Sequence, residues 1–181
     1  MRLTDHFVAM ARNNAWANHR LLTACEALTA EEFAAERTSF FPSLRATFNH
    51  ILVVDWYYLD ALEGLDALRH YSQPDPDFAD AQSMRLAQTA SDKRLIAFCE
   101  RQTEESLAAD CVLPRPNRKP PPTRTANVLE HLFQHQIHHR GQAHAMLAGT
   151  RLAPPQLDEF FLAGEQDLRR DELRALGLPE T

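Results

Sequence analysis

Nine histidines are spread over the 181-residue chain, and five of them, His131, His135, His138, His139 and His144, fall within one stretch, HLFQHQIHHRGQAHAML. Neutral imidazole is a donor for Zn, Ni, Cu or Fe. On a helix turning about 100° per residue, with Val128 at zero, His135 lies at about −20° and His139 at about +20°, either side of the direction shared by Val128 and Met146. On the same wheel His131, at about −60°, and His138, at about −80°, lie on the flank, and His144, at about 160°, points to solvent. Residues four apart have Cβ atoms about 5–6 Å apart, so two such rings can meet one ion at about 2.0–2.1 Å per Zn–N bond. Without a shared ion each buried ring would need its own hydrogen-bond partner. Position therefore selects His135 and His139. The residue after His135 is Gln136, so the H-E-x-x-H of zinc proteases is absent.

A useful site needs a third donor, and His50 is the best candidate because it interrupts the apolar segment LRATFNHILVVDWYYLDAL. Measured from Leu44, it lies at about −120°, bordering the face of Phe48, Ile51, Tyr58 and Leu62. Asp55, at about +20° on that face, is a carboxylate that must be paired or hydrogen-bonded. Asn14 or Asn18 is its expected partner, with support of a metal ligand as the alternative. No Ser-His-Asp or Cys-His arrangement competes. Cys25, Cys99 and Cys111 form no C-x-x-C pair and read as small packing residues or idle surface thiols in a reducing compartment.

The elements that must position these residues are helical. Three- and four-residue apolar spacing marks a first helix from about Asp5 to Leu28, with Thr4 as N-cap. A second follows Pro42-Ser43 and stops at Gly64. A third runs from about Ala81 to Ala109, with Met84, Leu86, Leu95, Ile96, Phe98 and Leu107 as its apolar face. The fourth opens at Thr125 and stops at Gly149. The proline-rich CVLPRPNRKPPPTRT between the last two predicts a stiff, extended crossover. After Gly149 the pattern predicts an apolar turn over Leu157 to Leu162 and a charged last helix. No strand has convincing alternation. The fold class expected is all-α: one domain over residues 1–181, a four-helix bundle with a short C-terminal helical extension.

Composition narrows the function classes. Hydrophobic residues make up 44% and charged residues 24%, the balance of an ordinary globular domain. The formal charge is −6 with no long basic run, which argues against nucleic acid as a partner. No uncharged apolar stretch approaches the roughly 18 residues of a membrane span, and no secretory signal is visible. A cytoplasmic location is expected.

The string HLFQHQIHHRGQAHAML, the FNHILVVDWYYLDAL helix and the opening NNAWANHRLL together resemble the DinB/YfiT-like family, from the first helix to about Leu147. The H-x-x-x-H-R-G-Q element is the most specific part. The resemblance implies an up-down-down-up bundle, often dimeric, with a divalent metal on one histidine of the second helix and two of the fourth, here His50, His135 and His139. It leaves His131 out of the site; the residue arithmetic keeps it as the alternative ligand should the helix be rotated. Of the other motif residues, Gln142, at about −40°, is placed to orient a ligand or a metal-bound water, and Arg140, at about 120°, to bond a neighbouring helix. Gly141 costs a helix about 1 kcal/mol against Ala, which predicts a close helix approach there.

The expectation is thus a metalloprotein with Zn or Ni, a homodimer, acting on a small-molecule substrate or with a thiol cofactor, as a hydrolase or thiol transferase. The alternative is a non-enzymatic, stress-associated dimeric bundle in which the metal is structural or absent.

Overall fold

The computed structural model describes residues 1–180. Four long helices carry it: α1 (Leu3–Cys25), α3 (Leu44–Leu62), α5 (Ala81–Glu100) and α7 (Thr125–Ala148). Short helices α2 (Ala30–Ala34), α4 (Arg69–Ser72) and α6 (Glu104–Ala108) lie in the connections, and α8 (Gln166–Leu176) follows the bundle. The long helices close a ring in the order α1, α5, α3, α7.

Side-chain pairs along each seam give the directions. Thr4 meets Glu104, Arg12 meets Glu100 and Arg85 meets Glu26, so α1 and α5 run antiparallel. His50 meets His139 and Tyr58 meets His131, so α3 and α7 are antiparallel too. Asp55 with Gln88 and Glu63 with Arg101 make α3 parallel to α5. Phe7 with Phe133 and Asn14 with Arg140 make α1 parallel to α7. The chain order is up, down, down, up.

The termini of α3 are written in the sequence. Ser43 Oγ accepts from the Ala46 amide at 3.1 Å, satisfying one of the free donors at the helix start. At the other end Gly64 takes φ 70°; its amide bonds Ala61 O, and that of Leu65 bonds Asp60 O at 2.7 Å. This left-handed exit satisfies the last carbonyls.

Other boundaries differ from expectation. α1 begins at Leu3 behind Arg2, because Thr4 uses its amide and hydroxyl to dock Glu104 of α6 rather than to cap, and it ends at Cys25, short of Leu28. The third helix stops at Glu100, and Thr103 caps the separate α6 through the Ser106 amide. Leu86 is 60% exposed and does not belong to the apolar face. The proline-rich segment is closed by a two-residue antiparallel ladder, β1 (Asp110–Cys111) with β2 (Thr123–Arg124); two residues are too few to show alternation in sequence. Nothing lies within 4 Å of a Cβ built on Gly141, so no close helix approach explains that glycine.

The interior is layered along the bundle axis. One apolar cluster holds Phe7, Tyr58, Leu95, Phe98, Leu129, Leu132 and Phe133. A second holds Leu21, Leu44, Phe48, Leu52, Met84, Met146 and Leu147. Between them each long helix contributes buried polar side chains: Asn14 and Asn18, Asp55, Gln88 and Asp92, Gln136 and Arg140. Cys25 and Cys99 are buried packing residues, as expected, and Cys111 is partly buried.

After α7 the chain returns across α1. Trp16 packs on Phe160 and donates to Glu172 at 2.6 Å, while Arg20 pairs with Glu159 and Glu172. This is the C-terminal extension, with its apolar turn and charged helix. Among the described residues no helix is long and apolar enough to cross a membrane.

Candidate metal centre

His50 from α3 and His135 and His139 from α7 come together at the seam between these antiparallel helices. Their ring centroids are 4.9 Å (His50 to His135), 4.6 Å (His50 to His139) and 4.4 Å (His135 to His139) apart. Nε2 of His50 faces Nε2 of His135 at 2.9 Å. One donor atom from each ring lies within 4.8 Å of the other two. For His139 that atom is Nε2, because its Nδ1–H donates to Gln142 Oε1 at 2.8 Å. Gln142 in turn donates to His138 Nε2 at 3.2 Å. With Gln142 Oε1 accepting from Nδ1–H, His139 carries its proton on Nδ1 and turns Nε2 towards the cluster.

Three imidazole nitrogens at these separations fit a divalent ion. Tetrahedral bonds of about 2.1 Å set donors roughly 3.4 Å apart, so the His50–His135 contact would open by about half an ångström. The electrostatics favour the ligand state. Burial, then the neighbouring His139, lowers His50 to about 4; burial, then His139 and His50, lowers His135 to about 3. His139 is lowered by burial as well, against the opposing effect of its bond to Gln142. All three rings stay neutral near pH 7 and present lone pairs. His135 Nδ1 is buried without a partner.

The cluster is roofed by the loop between α2 and α3. Thr29 and Glu32 cap α2 reciprocally, Phe33 of α2 stacks on Phe48 at 6.2 Å, and the Arg37 amide ties to Pro42 O at 2.7 Å. That loop lays Phe41 on His50 at 4.3 Å and near His139 at 5.6 Å, while Phe40 is 76% exposed. A recess of about 430 Å³ opens beside Gln142, lined by Arg37, Thr38, Ser39, Ala145 and Met146.

The buried face of α7 is not centred on the Val128–Met146 direction. Its buried arc runs from Val128 and Met146 round to Phe133 and Arg140, with Gln136 and Ala143 at its middle. His135 is at the edge and half-buried, and His139 is inside. The reason is that α7 packs against both α3 and α1, and the histidines occupy only the side facing α3. His131 is exposed and outside the cluster. His144 is not solvent-facing: its ring bonds Pro155 O at 3.0 Å, under the returning C-terminal segment. Arg140 does bond a neighbouring helix, at Asn14 and Asn18. Asp55 finds Gln88 and Gln136 instead of those asparagines, which belong to Asp92.

Phe41, Gln88, Asp92 and the role of Gln136 were not anticipated. The i, i+4 pair Gln88 and Asp92 stands on the same strip as Met84 and Leu95, a polar interruption of an apolar stripe that could have signalled them.

Fold and site together define a helical bundle with an inter-helix three-histidine cluster able to hold a metal ion. The DinB family profile matches residues 2–170, and the chain belongs to the DinB family. It is 24% identical over 159 residues to "Protein DinB" of Bacillus subtilis (strain 168), covering 84% of this chain and 91% of that protein. The fold is similar to that of a DinB-like protein from Bacillus cereus ATCC 10987, with TM-score 0.61 at 20% identity, covering 79% of this chain and 89% of that one. A DinB-like protein from Bacillus subtilis superposes with TM-score 0.58 at 17% identity, covering 87% and 98%.

Proposed function

We propose that the chain is a metalloprotein that holds one divalent transition metal, Zn or Ni, on His50, His135 and His139, and that it is a metal-dependent enzyme activating water or a small thiol, as a hydrolase or thiol transferase. The observation that carries this reading is the convergence of three neutral imidazoles from two helices with Nε2 of His139 freed by Gln142. Three neutral donors leave an ion its full charge and an open position, which supplies Lewis acidity for ionising water or a thiol. Gln142 orients one ring, Phe41 screens one side of the cluster, and the recess beside Gln142 admits a small molecule.

A second reading has its own support. Phe41 packs closely on His50, as it would over a closed, structural site in a non-enzymatic bundle. The two readings separate on protein made without a histidine tag. Metal analysis is expected to give one ion per chain, lost in each of His50→Ala, His135→Ala and His139→Ala. With cobalt in the site, a small thiol is expected to produce a thiolate-to-metal absorption band, followed by turnover in a thiol-plus-electrophile or hydrolytic assay. Absence of metal from the parent protein refutes the metalloprotein reading; a bound ion whose spectrum ignores added thiol and water analogues supports the structural one.

A further inference from the structure

At mid-height the core is polar, and its hydrogen bonds leave an imbalance that a single proton removes. Asp55, Asp92 and Arg140 are at most 5% exposed, and the amides among them, Asn14, Asn18, Gln88 and Gln136, are at most 2%. Asp92 receives donors on both oxygens. Its Oδ1 accepts from Asn14 Nδ2 at 3.1 Å, Asn18 Nδ2 at 3.0 Å and Gln88 Nε2 at 3.2 Å, and its Oδ2 from Asn18 Nδ2 at 3.3 Å. Arg140 donates to Asn14 Oδ1 at 2.5 Å, Asn18 Oδ1 at 2.9 Å and Gln136 Oε1 at 3.3 Å. The two asparagines thus link the guanidinium to Asp92.

Asp55 is placed differently. Its Oδ2 accepts from Gln88 Nε2 at 2.8 Å and from Gln136 Nε2. Its Oδ1 has no partner, and neither has Oε1 of the same Gln88. Two bare acceptors on groups already joined by one hydrogen bond form the pattern of a carboxylic acid with a primary amide, in which the acid O–H answers the amide oxygen. Charge points the same way. With both carboxylates ionised and only Arg140 opposing them, the buried layer would carry one uncompensated negative charge, a state that a buried group avoids by taking up a proton.

We propose that Asp55 is a neutral carboxylic acid whose Oδ1–H donates to Gln88 Oε1, and that this retained proton is a structural part of the core that makes the fold sensitive to pH. Asp92, with both oxygens receiving donors, is the carboxylate that balances Arg140. The charged groups facing Asp55 are Asp92 from α5 and Arg140 from α7; α1 presents only amides. Burial, then the proximity of Asp92, pushes the Asp55 carboxyl up to about 7; burial raises Asp92 too, but only to about 6, because Gln88, Asn18, Arg140 and Asn14 oppose it.

The direction of the pH effect follows. A carboxyl raised in the folded chain keeps its proton where the unfolded chain has released it, so its stabilisation is complete below about pH 4 and is lost as pH rises towards 7. A monovalent cation held between the two bare acceptors, Asp55 Oδ1 and Gln88 Oε1, is the rival explanation of the same deficit.

Asp55→Asn tests the assignment because its side-chain N–H takes the place of the acid O–H towards Gln88. Urea unfolding of the full chain and of D55N between pH 5 and 8 is expected to show D55N gaining on the parent by about tenfold in folding constant per pH unit up to about pH 7. Infrared spectra of the parent at pH 6 are expected to show a protonated carboxyl band that shifts in deuterium oxide and is absent from D55N. The infrared measurement on the parent, with Asp92→Asn as the control for the other buried acid, decides the matter even if D55N does not fold. The proposal is overturned by a parent with no protonated carboxyl at pH 6, by one whose band disappears in D92N and persists in D55N, by a D55N deficit that is the same at every pH, or by parent stability that rises with sodium or potassium over choline at constant ionic strength. D55N and D92N both keep the three histidines, so failure here leaves the metal assignment standing.

Discussion

Gln142→Ala is the most informative single change near the cluster. The wild-type side chain accepts one hydrogen bond, 2.8 Å long, from His139 Nδ1 and makes its other contact with an exposed ring, His138. Removing an outer partner of a metal-ligating histidine typically lowers metal affinity 10–100-fold, about 1.4–2.7 kcal/mol. The loss should fall at the weak end of that range, because Gln142 is itself only partly buried and water can replace its oxygen. An affinity about 10–30-fold below wild type is therefore expected in competition with a chelator of known affinity. His138→Ala, which leaves the bond to His139 in place, should change affinity by less than about threefold. Equal losses in the two variants, or a Q142A affinity within twofold of wild type, would refute the claim that Gln142 presents His139 through Nε2.

Arg140→Leu should destabilise the fold by about 3–5 kcal/mol in urea unfolding, since it strands the buried Asp92 without its counter-charge; Asp92→Asn added to it should recover part of the loss, and simple additivity of the two would argue against their coupling through Asn14 and Asn18. Gly141→Ala should be neutral or stabilising by up to about 1 kcal/mol, because a Cβ there meets nothing within 4 Å; a loss of stability, read as a lower melting temperature, would mean that the position is crowded after all.

Much of this architecture could be read from residue order. The ends of α3 were legible because a Ser43 side chain can cap the first turn and Gly64 can take the left-handed exit, while α7 was legible from its long periodicity between the prolines and Gly149. Thr4 misled for a physical reason: a hydroxyl that can cap its own helix can equally bond another element, and Glu104 lies a hundred positions away. The same limit applied to Asp55. Sequence shows that a buried carboxylate needs a donor but not which of several amides will supply it, and the choice of Gln88 and Gln136 over Asn14 and Asn18 is made by the ring order of the helices. His135 and His139 were legible from spacing, yet their location on one side of the buried arc depends on α7 having two neighbours. Phe41 could not be found at all, since its role arises from the path of a loop.

The junction at Arg124–Thr125 bears on how the cluster keeps its aim. β2 passes into α7 without an intervening residue, and both the amide and the hydroxyl of Thr125 hold Ala109 O, at 2.9 and 3.1 Å. The hairpin thereby acts as an anchor for screw motion, holding at once the height and the rotation of the helix that carries His135 and His139. One extra residue at that joint would turn everything downstream by about 100° and swing both imidazoles away from His50. The prolines lie inside the closed loop instead, where length can vary without being transmitted to α7.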